Sequence, residues 1–295
     1  MGRGESRVSE LLGLIAGDGY FPQEIASAAS RRGCRVHAVG FHGLTRPDLS
    51  EYTSECHWHH LGQVDAVLQD LREAGVESLV LAGKIEKTHL TSPRQDTLET
   101  DARADGFLQN LEGRSDRTLM KAIAGLLESE GFSLRPQTEY APDLIAQEGA
   151  LGRVLPTDRQ RADLAYGWPI ARQLAEAGVG QCLVVKDQSV VAVEAAEGTD
   201  RTIRRAIECA GGGLTVIKLA ARDQDPRFDM PAVGPRTLEP LKGESPSLLA
   251  IEAGATVVLN REEMVEQGDL NQTAVWAVGQ SEEAAFVGSE GKLTS

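Results

Sequence analysis

Short apolar runs alternate along this chain with longer segments in which apolar residues recur every three to four positions. Leu11-Leu12-Gly13-Leu14-Ile15-Ala16 is one such run. It stops at Gly17-Asp18-Gly19, so it reads as a strand closed by a turn. From about Pro22 to Arg32 the spacing predicts a helix, with Ile25 and Ala29 on one face and Pro22 suited to the first turn. Arg35 to Phe41 reads as a second strand. Leu61 to Ala74 predicts a helix, because Val64, Val67, Leu68 and Leu71 fall on one stripe. Ser78 to Ala82 reads as a third strand, ending in Gly83-Lys84, and Asp116 to Glu130 as a helix stopped by Gly131. Strands alternating with helices predict a parallel sheet with right-handed crossovers.

From Arg135 to Arg161 prolines and glycines interrupt the chain and the periodicity weakens, so a domain boundary is expected near Pro136 to Pro142. Beyond it the pattern restarts. Tyr166 to Ala177 predicts a helix. Cys182 to Lys186 and Val190 to Ala195 predict strands joined by a hairpin turn at Asp187-Gln188-Ser189. Thr199 to Ala210 predicts a helix capped by Thr199 or Asp200 and ended by Gly211-Gly212-Gly213. Leu214 to Leu219 and Ala255 to Leu259 read as strands, and the chain after about Gly279 as poorly ordered. The fold class expected is α/β: a Rossmann-like N-terminal domain over 1–138, a distinct C-terminal α/β domain over 139–285, and a tail over 286–295.

Composition narrows the function. The 295 residues carry a formal net charge of -14, with a pI near 4.9. Such a charge repels polyanions at long range, so no nucleic-acid partner is expected, and at most peripheral contact with a membrane. No apolar run approaches the ~18 residues of a spanning helix. The first residues show no secretion signal, and the four cysteines have no Cys-x-x-Cys spacing. A cytoplasmic protein with reduced thiols is expected, at most peripheral at an inner membrane.

Three stretches carry candidate chemistry. The Gly13 to Gly19 loop joins a strand to a helix, where glycines let backbone N–H groups approach a phosphate. A dinucleotide site is disfavoured: Pro22 stands where G-x-G-x-x-G needs its third glycine, and the second strand ends without a ribose-binding acid. Cys56-His57-Trp58-His59-His60 resembles a metal cluster in composition only. Neighbours on a strand point to opposite faces, so a loop or edge strand with exposed histidines is expected instead. The chain after His89 has no histidine, so chemistry there falls to carboxylates, lysines and a bound metal.

Glu194, Glu197 and Asp200 collect where a strand should end and a helix begin. A local account makes them caps and ion-pair partners, with Glu194 paired to Arg204 or Arg205. The functional account has them hold a hard cation and orient water. A second charged stretch, Lys218 to Gly234, follows a neighbouring strand. In it Lys218 and Arg227 are suited to phosphate, and Asp225 and Asp229 to a metal or a base.

Together, Gly13-Leu14-Ile15-Ala16-Gly17-Asp18-Gly19, Leu81-Ala82-Gly83-Lys84, Val193-Glu194-Ala195-Ala196-Glu197-Gly198-Thr199-Asp200 and Arg227-Phe228-Asp229-Met230-Pro231-Ala232-Val233-Gly234 resemble the UDP-2,3-diacylglucosamine pyrophosphatase family of the LpxI type. The resemblance runs from about Leu12 to Gly279. It implies a two-domain cytoplasmic enzyme of lipid A synthesis that hydrolyses a lipid-linked nucleotide sugar, UDP-2,3-diacylglucosamine, to UMP and 2,3-diacylglucosamine 1-phosphate. It also implies a need for Mg²⁺, or Mn²⁺ or Co²⁺, attack by water on the sugar-side phosphorus, and a homodimer. Asp229 matches the aspartate regarded as catalytic, and Glu194, Glu197, Gly198, Thr199 and Asp200 match the second motif. Lys84 and Asp116 align with polar ends of N-terminal elements. Asp18 departs from the pattern by replacing a frequent glycine.

The expected roles follow. Asp229, Glu197 and Asp200 are catalytic, and Asp229, Glu194, Glu197 and Asp225 are the metal donors. Gly17, Asp18, Gly19, Gly83, Lys84, Asp116, Gly198, Thr199, Lys218 and Arg227 contact substrate. Two other classes stay open: a nucleotide-sugar or NAD-dependent oxidoreductase, and a carrier or sensor that binds a nucleotide or lipid without hydrolysing it.

Overall fold

The structure is a computed structural model that describes residues 10–85, 100–111, 116–243 and 246–288. The chain divides into two compact units. The first runs to Pro142 and also takes in Pro226–Asp229. The second holds Asp143–Asp225 and the chain from Met230 onward.

The first unit contains β1 (Leu11–Ala16), α1 (Phe21–Arg31), β2 (Arg35–Phe41), a 3₁₀ turn (Pro47–Tyr52), β3 (Glu55–His59), α2 (Val64–Glu73), β4 (Ser78–Ala82), α3 (Ala102–Gln109), α4 (Asp116–Ser129) and β5 (Ser133–Leu134). Its five strands are parallel in the order β3-β2-β1-β4-β5. β1 is buried along almost its whole length, as a strand covered on both faces must be. Gly13 lies within it because a Cβ there would meet the side chains of Val76 and Leu79 at 2.5 and 2.4 Å. The α2 stripe is buried through Val67, Leu68 and Leu71, but the helix starts at Val64, later than the spacing suggested. Phe228 joins the core of this unit beside Phe132 and Leu134. Of the polar stretch Thr91 to Asp105, residues 91–99 lie outside the described residues. Asp101 caps α3 by accepting from the Ala104 amide.

The second unit contains β6 (Gly149–Ala150), α5 (Asp158–Glu176), β7 (Cys182–Lys186), β8 (Ser189–Val193), α6 (Thr199–Ala210), β9 (Thr215–Lys218), β10 (Ala232–Val233), α7 (Pro235–Leu238), β11 (Leu248–Glu252), β12 (Val257–Val258), α8 (Arg261–Leu270), β13 (Ala274–Val278) and α9 (Gln280–Gly288). A mixed sheet has the order β6-β13-β11-β9-β7-β8, and β10 pairs separately with β12. β7 and β8 form the expected hairpin. Asp187 and Gln188 both take positive φ (51° and 53°), as a tight two-residue turn matched to strand twist requires.

Several expectations needed correction here. α5 begins eight residues before Tyr166, because Thr157 and Gln160 form a capping box ahead of a first turn that lacks an apolar stripe. The strand expected over Ala255 to Leu259 shrinks to two residues. Of the end expected to be poorly ordered, residues 289–295 lie outside the described residues and Gln280–Gly288 forms α9. Its Phe286 ring lies 6.2 Å from Trp168, and its Glu283 lies 2.8 Å from Arg172.

Arg172 is buried in α5 and has three partners. Its guanidinium lies 2.8 Å from both Glu252 and Glu283 and donates to the Ala220 carbonyl at 2.7 Å. Burial alone raises the Glu283 carboxyl, but the Arg172 charge and hydrogen bond outweigh it and hold it below its ordinary 4.5. A depressed folded-state value means this stabilisation is present above about pH 4.5 and is lost as pH falls through the folded value. Arg172→Met is expected to cost roughly 3 kcal/mol by stranding two largely covered carboxylates. It should also flatten part of the acid limb of stability. Urea melts of both proteins from pH 7 to pH 3.5 test this, and equal slopes would refute the assignment.

Candidate functional site

In the first unit the strand order places the topological switch point at β1 and β4, where ligands of such sheets commonly bind. The loops leaving those two strands lie against each other. Gly17 N–H donates to the Ala82 carbonyl at 2.7 Å, and Asp18 and Lys84 exchange backbone hydrogen bonds of 2.9 Å. A Cβ on Gly17 would sit 2.8 Å from the Lys84 carbonyl oxygen, and one on Gly83 2.7 Å from that of Asp18. These glycines are therefore required by close backbone approach. The Gly17 and Asp18 amides are already used and do not face a ligand. Gly19 takes φ +97° beside open space. Tyr20 is the N-cap of α1 and supplies no side-chain cap.

Arg46 is a residue at this end of the sheet that sequence reasoning missed. Thr45 Oγ1 donates to the Ala16 carbonyl at 2.5 Å and so ties the loop after β2 to the end of β1. The Arg46 guanidinium lies 4.2 Å above the Tyr20 ring and 3.0 Å from Asp48, while its Nε is buried without a partner. The available signal was positional: a cation placed five residues beyond a strand's carboxyl end.

Other expected residues of this unit are occupied or undescribed. Arg227 pairs with Glu128 of α4 and lies over the Phe228 ring. Asp229 is partly buried and engaged with other groups. Asp116 opens α4, and its side chain lies outside the described residues.

In the second unit β8 ends at Val193, two residues earlier than expected, and Glu194 donates its amide to the Cys182 carbonyl at 2.9 Å. Cys182 is also the β7 partner of Lys218 in β9. Burial, then the charge of Glu194, pushes the Cys182 thiol far up, so it is no nucleophile. The Glu194 carboxylate accepts from Thr199 Oγ1 at 3.2 Å through one oxygen, and its other oxygen, Oε2, is buried with no partner. It pairs with neither Arg204 nor Arg205.

Arg205 instead holds Glu197 at 2.6 Å, and the second Glu197 oxygen accepts the Ala195 amide at 3.0 Å. Backbone hydrogen bonding at Glu197 itself, then Arg205, holds that carboxyl low. With both oxygens occupied, Glu197 secures the turn and is a poor metal donor as placed. The α6 cap is neither Thr199 nor Asp200. It is Gly198, at φ 85° and ψ 164°, with no side-chain cap hydrogen bond. The first-turn amides of this twelve-residue helix therefore present a positive end, with Asp200 exposed beside them. Lys218 donates from Nζ to the Ala232 carbonyl at 2.7 Å, tying β9 to β10. Asp225 is partly buried and engaged with other groups.

Two models of one family match in tandem, the LpxI N-terminal domain over residues 11–144 and the LpxI C-terminal domain over residues 147–276. The chain belongs to the LpxI family. UDP-2,3-diacylglucosamine pyrophosphatase LpxI of Caulobacter vibrioides is 28% identical over 269 residues, which is 88% of this chain and 94% of that protein. Two solved structures align at a TM-score of 0.27, too low to inform the fold. One is a biotin carboxylase domain of 2-oxoglutarate carboxylase from Hydrogenobacter thermophilus (11% identity, 68% of this chain and 41% of that one). The other is leucoanthocyanidin reductase with NADPH from Vitis vinifera (12% identity, 95% and 82%).

In this LpxI-family chain the Gly198 conformation belongs to a region that only glycine occupies without strain. The space around its missing Cβ is open, so the cost of a side chain there is conformational rather than steric. Gly198→Ala is expected to destabilise the protein by about 1–3 kcal/mol. A thermal melt that does not shift would show that the turn relaxes freely.

Proposed function

We propose that the protein hydrolyses UDP-2,3-diacylglucosamine to UMP and 2,3-diacylglucosamine 1-phosphate in a reaction that needs Mg²⁺ or a similar ion. Family membership over both halves supports the reaction class. The observation in the structure that carries it is the uncapped α6 N-terminus next to Glu194, whose Oε2 is buried and unpartnered. Amides at a helix start bind phosphate oxygens, and an orphaned carboxylate oxygen suits a hard cation. A pyrophosphate with its metal offers both charges at once.

Glu194 is the residue that fits such an ion best, and Thr199 orients it. The ion, when bound, neutralises the pyrophosphate charge. Glu197 and Arg205 keep the turn in shape so that the Gly198-Thr199-Asp200 amides stay open to a phosphate. Asp229, matched to the family's Phe-Asp-x-Pro aspartate, is proposed to take the proton of the attacking water. The new bond joins the water oxygen to the sugar-side phosphorus. The P–O–P bond breaks, and its electron pair leaves with UMP.

The same reading places the protein in the cytoplasm as a homodimer, with apolar contacts for the acyl chains. Among the described residues no helix is long and apolar enough to cross a membrane.

UMP release from UDP-2,3-diacylglucosamine is expected with Mg²⁺ and should vanish with excess EDTA. Glu194→Gln and Asp229→Asn are each expected to lower turnover by about 10²–10³-fold, the size of losing one charge-stabilising group. Circular dichroism checks that both variants fold. Substrate binding without turnover would overturn the enzymatic reading. Full activity of either variant would remove that residue from its role.

A further inference from the structure

A second group of side chains in the first unit has no part in the proposed hydrolysis. β2 and β3 run parallel with His37 opposite Glu55 and Val39 opposite His57. Alternation then puts His37, Glu55, His57 and His59 on one face of the sheet. α2 crosses that face and contributes Asp70. His57 Nδ1 lies 2.7 Å and His37 Nε2 3.1 Å from Asp70 Oδ1, and His59 Nε2 lies 2.8 Å from Asp70 Oδ2. His37, His57 and Asp70 offer ligand atoms within 4.8 Å of one another.

We infer that this cluster is a binding site for a borderline transition metal of the Zn²⁺ class, with His37, His57 and Asp70 Oδ1 as donors and His59 holding the carboxylate through Oδ2. The donor set is one that Zn²⁺ takes up readily, two imidazole nitrogens and a carboxylate oxygen with the fourth position for water. Donors about 2.0–2.1 Å from a tetrahedral ion stand about 3.3 Å apart, so the His57 and His37 contacts to Asp70 Oδ1, at 2.7 and 3.1 Å, need to open by only a few tenths of an ångström. A second observation points the same way. The other ring nitrogen of His37, Nδ1, faces Glu55 Oε2 at 3.3 Å. A carboxylate behind a metal-binding histidine fixes its tautomer and raises its basicity.

The site also has a rigid side and an open side. His37 is 2% exposed and Asp70 11%, while His57 is 51% exposed and provides an entry.

The cluster was not legible from Cys56-His57-Trp58-His59-His60 as a run. β3 is an edge strand, as expected, and only every second residue of it faces Asp70. Cys56 is partly buried and its thiol is raised to about 11, chiefly by burial. The His42 and His60 rings lie 5.0 Å apart, tilted at 42°, near Trp58 and form a separate pair. His37 and Asp70, which complete the set, come from other elements.

The test is titration of the full-length, tag-free protein with Zn²⁺ alone at pH 7.5, by calorimetry and by metal analysis after desalting. One equivalent per chain is expected, with Kd about 1 μM or tighter. His57→Ala, at an exposed position that should not disturb folding, is expected to weaken it at least as much as the roughly 10–100-fold that losing an outer-shell partner costs. Asp70→Asn should do the same, and Co²⁺ should give a visible spectrum that His57→Ala abolishes. The His42→Ala/His60→Ala double variant should bind like the parent. Binding weaker than this, or tight binding that survives His57→Ala, would overturn the site.

Discussion

The backbone conformation of Gly198 sets the geometry of the C-terminal unit's charged turn. With φ at 85° and ψ at 164°, the chain reverses into α6 without a side chain over the helix end. The amides of the first turn are left for another acceptor. Thr199, one residue on, reaches back to Glu194 rather than capping its own helix. Glu197 is drawn away by Arg205 and the Ala195 amide. One glycine thus separates three acids into three tasks: Glu194 is oriented but half unpartnered, Glu197 secures the turn, and Asp200 stands exposed at the helix start.

The fold was legible where apolar runs were short and cleanly ended. β2 and β4 begin and end where their runs do, because both are buried in a parallel sheet that tolerates few polar positions. The start of α5 was hidden because Asp158 to Asp163 is polar and its signal is a capping box rather than a stripe. α9 was hidden because its order depends on tertiary partners, Arg172 for Glu283 and Trp168 for Phe286. No local propensity announces an ion pair 111 residues away.

Residue types in the candidate site were legible, and their present employment was not. Gly17 looked like a phosphate contact, yet its amide serves Ala82 and its missing side chain makes room for Lys84. Lys218 looked like a phosphate cation, yet Nζ holds the Ala232 carbonyl. Glu197 looked like a metal donor, yet both oxygens are taken. Each of these placements has the same origin. A charge or a glycine at a strand end meets whatever backbone group the fold brings nearest, and backbone groups must be paired when buried.

Two proposed ion sites in one chain raise the question of how each would select its metal. Ligand chemistry provides the answer, because the two donor sets differ in softness. Glu194 offers a carboxylate oxygen beside a helix end that attracts phosphate, a setting for a hard ion that keeps its water and shares substrate oxygens. The Asp70 cluster offers imidazole nitrogens, which Mg²⁺ takes poorly and Zn²⁺ takes well. The excess of negative charge on the chain draws either cation toward the surface without choosing between them. Selection then rests on the first contacts: two nitrogens beside one carboxylate oxygen in the N-terminal unit, and a lone buried carboxylate oxygen in the C-terminal unit.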